Sequence, residues 1–225
     1  QASIPEAIAI DTDMGYDDVA ALVMISAASA NVKLVTTVHG VCDSSEAAPL
    51  AQCLLATLGL QSVPVIAGAS SASKEFMELP KWVPKHREKL SKARSLLNLQ
   101  MGGSLPQQGS ADAAAEALLK TAEDCGQITV LAMGPLTNIA AAALKDPDKF
   151  RRHVRKVVVA GDTAKGQPFN VRLNPLALEQ VFATQVPVHL VGTRARPDSE
   201  ALGALLQLQN RDRVVAKMLR TILEQ

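Results

Sequence analysis

The chain has 225 residues, 48% hydrophobic and 20% charged, with 23 basic against 22 acidic side chains and a formal net charge of +1. That length and apolar content support a substantial core and exclude a disordered chain, a collagen-like fibre and a disulfide-stapled miniprotein. Balanced charge and an aromatic content of 3% exclude recruitment of nucleic acid or anionic membrane by a basic field, and a base-stacking platform.

Short apolar runs alternate with longer amphipathic stretches, which predicts an α/β fold with a mainly parallel open sheet flanked by helices on both faces. Ala7–Ile10 reads as a buried first strand, Asp17–Ala30 as a helix and Lys33–Val38, rich in β-branched residues, as a second strand. Glu46–Leu58 reads as a helix ended by Gly59, and Val63–Ala67 as a third strand. Residues 70–109 break the rhythm with Pro80, Pro84, Pro106 and the basic stretch KHREKLSKAR. They read as a surface insertion, helical around Lys85–Leu97, within a single domain of 1–225. Helix Asp112–Glu123, strand Ile128–Ala132, helix Leu136–Leu144, strand Val154–Ala160, helix Pro175–Thr184 and strand Val186–Val191 follow, with helices at Ser199–Leu208 and Arg211–Glu224.

Cys42, Cys53 and Cys125 are odd in number and lack a CxxC spacing. They read as free thiols in a reducing compartment, either the cytoplasm or an organelle reached after removal of a transit peptide. No apolar run approaches the roughly 20 residues that span a bilayer.

The chemistry concentrates at Asp11-Thr12-Asp13-Met14-Gly15-Tyr16-Asp17-Asp18, between the first strand and its helix. In open α/β sheets ligands bind at this edge. One Asp at a helix start caps free N–H groups; four exceed that need and raise one another's pKa. A divalent cation with a taste for hard oxygen would relieve the repulsion. A purely structural acidic turn is the other reading of the same spacing.

At these residues the sequence resembles the inosine-uridine-preferring nucleoside hydrolase family, whose opening motif is D-T-D-P-G-x-D-D. Here Met14 takes the place of Pro. Val35-Thr36-Thr37-Val38 resembles the family's second-strand T-T-V, and Leu131 through Ala140 (LAMGPLTNIA) resembles A-L-G-P-L-T-N-I-A. Val157–Gly161, Phe169-Asn170-Val171, Asn174-Pro175 and Val186–Gly192 match later blocks, so the resemblance runs from about Ile8 to Gly192. It implies Ca²⁺-dependent hydrolysis of the N-ribosidic bond of a ribonucleoside. Asp13, Asp18 and the Met133 backbone carbonyl would hold calcium, Asp13 would also act as general base, and Asp17 and Asn170 would hold the ribose. Family members are commonly dimers or tetramers, so a homo-oligomer or a larger protein complex is expected.

The departures are specific. Val41 stands where the family has an Asn, Pro168 where it has a ribose-binding Glu, and Ala160 where it has a Gly. Asp162 is the nearest counterpart of a further Asn. Asn174 replaces an Asp and reads as a helix cap. The family's last calcium ligand is an Asp in a C-terminal His-Asp segment, whose His protonates the leaving base in many members. No Asp follows Asp212, so the expectation is that the chain stops before that segment. His86 and His153 read as solvated and His189 as a core or edge residue of a strand; His39 sits at the strand end where a ligand would lie, and reads as a structural residue sooner than as a ligand contact. Tyr16 reads as a base-pocket or a packing residue.

Two further readings compete with the hydrolase. One is a catalytically inactive member serving as a structural or accessory subunit. The other is a haloacid-dehalogenase-type phosphatase built on Asp11 and Asp13, which leaves G-P-L-T-N unexplained and lacks a second acidic pair.

Overall fold

The computed structural model describes residues 6–70, 80–96, 109–161 and 168–192. Six strands form one parallel sheet: β1 (Ala7–Thr12), β2 (Asn31–Thr37), β3 (Val65–Ala67), β4 (Ile128–Ala132), β5 (Val154–Ala160) and β6 (Val188–Val191). Their order is β3-β2-β1-β4-β5-β6. The chain therefore steps one way from β1 to β3, then returns to the other side of β1 and steps the opposite way. With right-handed crossovers, such a reversal places the two sets of helices on opposite faces.

The packing follows that rule. Helices α1 (Tyr16–Ala27), α2 (Ser44–Thr57) and α3 (Val83–Leu96) join Ile10 and Val35 in one core, with Leu22, Leu50, Leu54 and Leu90 buried there. Helices α4 (Ala111–Asp124), α5 (Thr137–Lys145), α6 (Pro147–His153) and α8 (Pro175–Ala183) join Ala9 and Leu34 in the other core, around Phe150 and Ile139. Neighbouring residues of one strand thus serve different cores, as a period of two requires. The short helix α7 (Phe169–Leu173) leads into α8.

The predicted strands and long helices are present, with shifts at their ends. β1 runs two residues past Ile10, because Asp11 and Thr12 keep pairing with Thr36 and Thr37 of β2. Two helices were absent from the sequence reading. α6 starts with Asp146 accepting from the Lys149 amide at 2.9 Å and Pro147 in the first turn, a cap-and-proline start signal. Its last turn holds Arg151, Arg152 and His153, where cations meet the negative end of the helix dipole. α7 has five residues, too few for a periodicity to show. Of the predicted insertion, residues 70, 80–96 and 109 are described; the predicted helices at Ser199–Leu208 and Arg211–Glu224 lie outside the described residues. Among the described residues no helix is long and apolar enough to cross a membrane.

Candidate active site at the reversal of strand order

The loops after β1 and β4 diverge to opposite faces, and a crevice opens between them, the usual ligand position in such sheets. Backbone bonds tie the loops together. Met133 N donates to Asp11 O at 2.7 Å, Val38 N to Thr12 O at 3.0 Å and Cys42 N to Asp13 O at 3.1 Å. Gly40 passes so close to Asp13 that a Cβ there would lie 2.0 Å from Oδ2, so the loop needs glycine for space rather than for a special φ.

The acidic loop resolves into four different carboxylates. Asp13 and Asp18 are buried, 3% and 5% exposed, and both line the crevice. Asp13 accepts from Val41 N at 2.8 Å and Gly15 N at 3.3 Å. Asp18 accepts from Thr12 Oγ1 at 2.6 Å and reaches back to Gly15 N at 3.3 Å, the second half of a capping arrangement. Burial, chiefly, raises both pKa values; for Asp18 the charges of Asp13 and Asp17 add to it. Asp17 is exposed at the mouth. Met14 turns the loop at φ 52°, a conformation closed to the proline that the family carries there, whose ring holds φ near about −65°.

Asp11 lies deeper, wholly buried. Its Oδ1 accepts from Thr36 Oγ1 at 2.5 Å and Asn138 Nδ2 at 2.8 Å, and its Oδ2 has no partner among the described residues. Burial pushes its pKa up to about 7 against those two hydrogen bonds. Nothing aims it at the crevice, so its part is structural, unlike the nucleophile of the phosphatase reading.

A cavity of about 340 Å³ occupies the crevice, within the size range of small-molecule sites. Asp13, Asp17 and Asp18 make its acidic side, with Met133 and Asn170 nearby. Asn170 donates to the Met133 carbonyl at 2.7 Å and to the Ala160 carbonyl at 3.3 Å. The five residues predicted to act together, Asp13, Asp17, Asp18, Met133 and Asn170, therefore all line one cavity. Val41 and Pro168 line it too, presenting carbon where the family has polar side chains. Among the described residues no three His, Cys, Asp or Glu side chains come together as metal ligands; the hard donors present are two buried carboxylates and a carbonyl.

The opposite wall is aromatic and was missed. Trp82 packs edge-on against His86 and against Phe169, with ring centroids 4.8 Å apart in each pair, and all three line the cavity. His86 was expected in solvent; it is half-buried and its Nδ1 is sealed from water without a partner. The signal available was its i, i+4 spacing from Trp82 on one helix face. Arg87 Nε, next along, donates to the Val41 carbonyl at 2.5 Å and fastens α3 to the loop that holds Asp13.

His39 pairs with Asp43 at 2.7 Å and is outside the cavity lining. His153 bonds the Gly126 carbonyl, and His189 is exposed on the edge strand β6. Tyr16 packs in the core with α1 and α2, so of its two readings packing holds. Asn174 caps α8, accepting from Ala177 N at 3.2 Å. Burial pushes the Cys42 thiol up to about 12, which leaves it inert. Asp162 lies outside the described residues.

The sequence pattern of the inosine-uridine preferring nucleoside hydrolases matches residues 8–225. Probable uridine nucleosidase 2 of Oryza sativa subsp. japonica is 32% identical over 196 residues, covering 83% of this chain and 56% of the relative. The pyrimidine-specific ribonucleoside hydrolase RihA of Salmonella enteritidis is 29% identical over 195 residues, covering 82% and 59%. The chain thus spans somewhat over half the length of the curated relatives it matches. A plant nucleoside hydrolase structure superposes with a TM-score of 0.65 at 22% identity, over 97% of this chain and 79% of that one, and so shares the fold. With the acidic loop, the switch-point cavity and a family pattern spanning nearly all of its length, this chain belongs to the inosine-uridine preferring nucleoside hydrolase family.

Proposed function

We propose that the protein hydrolyses the N-ribosidic bond of ribonucleosides, with calcium held by Asp13, Asp18 and the Met133 carbonyl. The observation that carries the reading is the convergence of Asp13, Asp17, Asp18 and Asn170 on one cavity. Two buried carboxylates pressed together, each with its pKa raised, suit a hard divalent cation that removes their repulsion. Calcium, when bound, supplies positive charge that offsets the pair and acidifies water beside it.

The side chains do the rest. Asp17, exposed at the mouth, accepts hydrogen bonds from ribose hydroxyls. Asn170 spends its amide N–H groups on two carbonyls, which fixes its Oδ1 as a further acceptor for the sugar. Asp13 takes the proton of the attacking water, and the surrounding carboxylates favour the positive charge that develops on the ribose. Self-association, as a homo-oligomer or in a larger complex, belongs to the same proposal and rests on family membership.

The test is release of free base and ribose from uridine and inosine by the purified chain with calcium, followed chromatographically, beside Asp13→Ala. The wild type is expected to release base and the variant to lose turnover while keeping its circular dichroism. Unchanged turnover in the variant removes the general base. A second reading, a non-catalytic accessory subunit, has the apolar Val41 and Pro168 in its favour; a folded, calcium-loaded wild type that releases no base would support it.

A further inference from the structure

The proposed reaction gives part of the sugar a partner and leaves the rest to be accounted for. Asp13 faces C1′, where water attacks, and Asp17 and Asn170 Oδ1 accept from ring hydroxyls. C5′ is the sugar carbon farthest from C1′, and the described cavity meets it with a corner formed by Ala160, Gly161, Pro168 and Val191. We infer that this corner selects nucleosides whose C5′ carries an apolar group, a 5′-deoxy or 5′-alkylthio ribonucleoside, over those with a free 5′-hydroxyl; the inference rests on the proposed hydrolysis.

Three observations carry it. First, the corner is continuous carbon. Ala160 pairs with Val191 across β5 and β6, and the Pro168 ring sits on Gly161, where a Cβ would lie 3.0 Å from Pro168 Cβ. Val191 is 44% exposed, an apolar side chain that gains by covering with an apolar group. Second, the backbone polar groups there are already engaged. Gly161 N donates to Val191 O at 2.9 Å, Arg172 N donates to Pro168 O at 2.9 Å, and Asn170 Nδ2 donates to Ala160 O at 3.3 Å. Pro168 has no N–H to offer. Third, Asn170 joins the corner to the acidic side, because the same Nδ2 also donates to Met133 O at 2.7 Å. A sugar hydroxyl on Asn170 Oδ1 therefore lies between the acidic pair and the corner, and C5′ falls on the corner's side when C1′ faces Asp13.

A 5′-hydroxyl set against this wall gives up its water without gaining a partner. A methyl or alkylthio group gives up nothing and covers Val191 and the Pro168 ring. The bond chemistry is unchanged. The C1′–N bond breaks, water oxygen bonds to C1′, and the two water hydrogens end on the new sugar hydroxyl and on the free base. The 5′ substituent leaves with the sugar.

The experiment compares kcat/KM for uridine and 5′-deoxyuridine, using wild type, Pro168→Gln and Val191→Thr with calcium present. The two substrates share base and cis-diol, so their ratio isolates the 5′ group. Wild type is expected to favour 5′-deoxyuridine by about 10-fold or more. Gln brings a side-chain amide to the corner and Thr a hydroxyl at nearly the same volume as Val. Each should cut that preference by about 5-fold or more, a readout that a general loss of activity does not move. Wild-type kcat/KM for uridine equal to or above that for 5′-deoxyuridine would overturn the inference, as would an unchanged ratio in both variants. If Pro168→Gln does not fold, the wild-type ratio and Val191→Thr decide. A wild type inactive on both substrates would overturn the hydrolase reading and this inference with it, whereas the other two failures leave the hydrolase reading standing.

Discussion

Asn138, at the start of α5, donates its side-chain amide to Asp11 at the end of β1, 127 residues away in sequence. The same Nδ2 donates to the Thr37 carbonyl at 3.0 Å, and Oδ1 accepts from Ala69 N at 2.9 Å. One fully buried side chain thus joins the ends of β1 and β2 and the loop after β3 beneath the cavity. Asn138→Ala strips Asp11 of a donor and orphans a buried N–H, so it should destabilise the fold by about 2–5 kcal/mol. Urea titration in calcium-free buffer checks this; a midpoint unchanged from wild type would show that water replaces the amide without loss.

Gly40 tests how finely Asp13 is placed. A methyl group there would overlap the Asp13 carboxylate, with Oδ2 at 2.0 Å and its Cβ at 2.6 Å, so Gly40→Ala must push one of the two aside. Displacing a reacting group by about 1 Å lowers turnover by roughly 100-fold, while local crowding costs only about 1–3 kcal/mol of stability. Steady-state kinetics with a melting curve on the same sample separates these effects. Full activity in a folded Gly40→Ala protein would show that the loop shifts without carrying Asp13.

The sheet was legible because its strands are short apolar runs at the right spacing, and the acidic loop because four carboxylates in eight residues exceed any capping need. Asp13, Asp17 and Asp18 could be grouped from sequence since they sit together where β1 ends and α1 begins. Met133 and Asn170 joined them through family resemblance, as residues just after β4 and on α7 have no local signal of meeting β1. His86 was misplaced for a physical reason. Its helix is strongly basic and reads as a solvated face, and only the three-dimensional pairing of Trp82 with Phe169 turns one stripe of it inward. α6 was overlooked although its Asp-Pro start was in plain view.

Asp18→Asn separates charge repulsion from cation binding. Without metal, burial and the neighbouring Asp13 and Asp17 disfavour the Asp18 carboxylate, and Asn still offers an oxygen to Thr12 Oγ1. The variant should therefore melt a few degrees above wild type in chelator, on the order of 1 kcal/mol. Adding calcium at about 100 times its dissociation constant should stabilise wild type by about 2.7 kcal/mol and leave the variant unmoved. Differential scanning fluorimetry with and without calcium reads both signs. A calcium-induced rise that persists in Asp18→Asn would remove this residue from the site.

Asp11 gives the metal-free protein a pH signature of definite sign. Its pKa rises from 3.8 to about 7 on folding, so between those values the native state binds the proton more tightly than the unfolded chain. The contribution is complete below about pH 4 and is lost as pH climbs to about 7, at up to about 1.4 kcal/mol per pH unit. Asp11→Asn keeps an Oδ1 for Thr36 and Asn138 and cannot ionise. In calcium-free buffer the two proteins should have similar stability near pH 4, and the variant should be the more stable by a few kcal/mol at pH 8. Urea midpoints taken across that range provide the comparison. Parallel curves for the two proteins would mean that Asp11 ionises as easily in the folded state as in the unfolded one, and that its burial is relieved by a partner such as water.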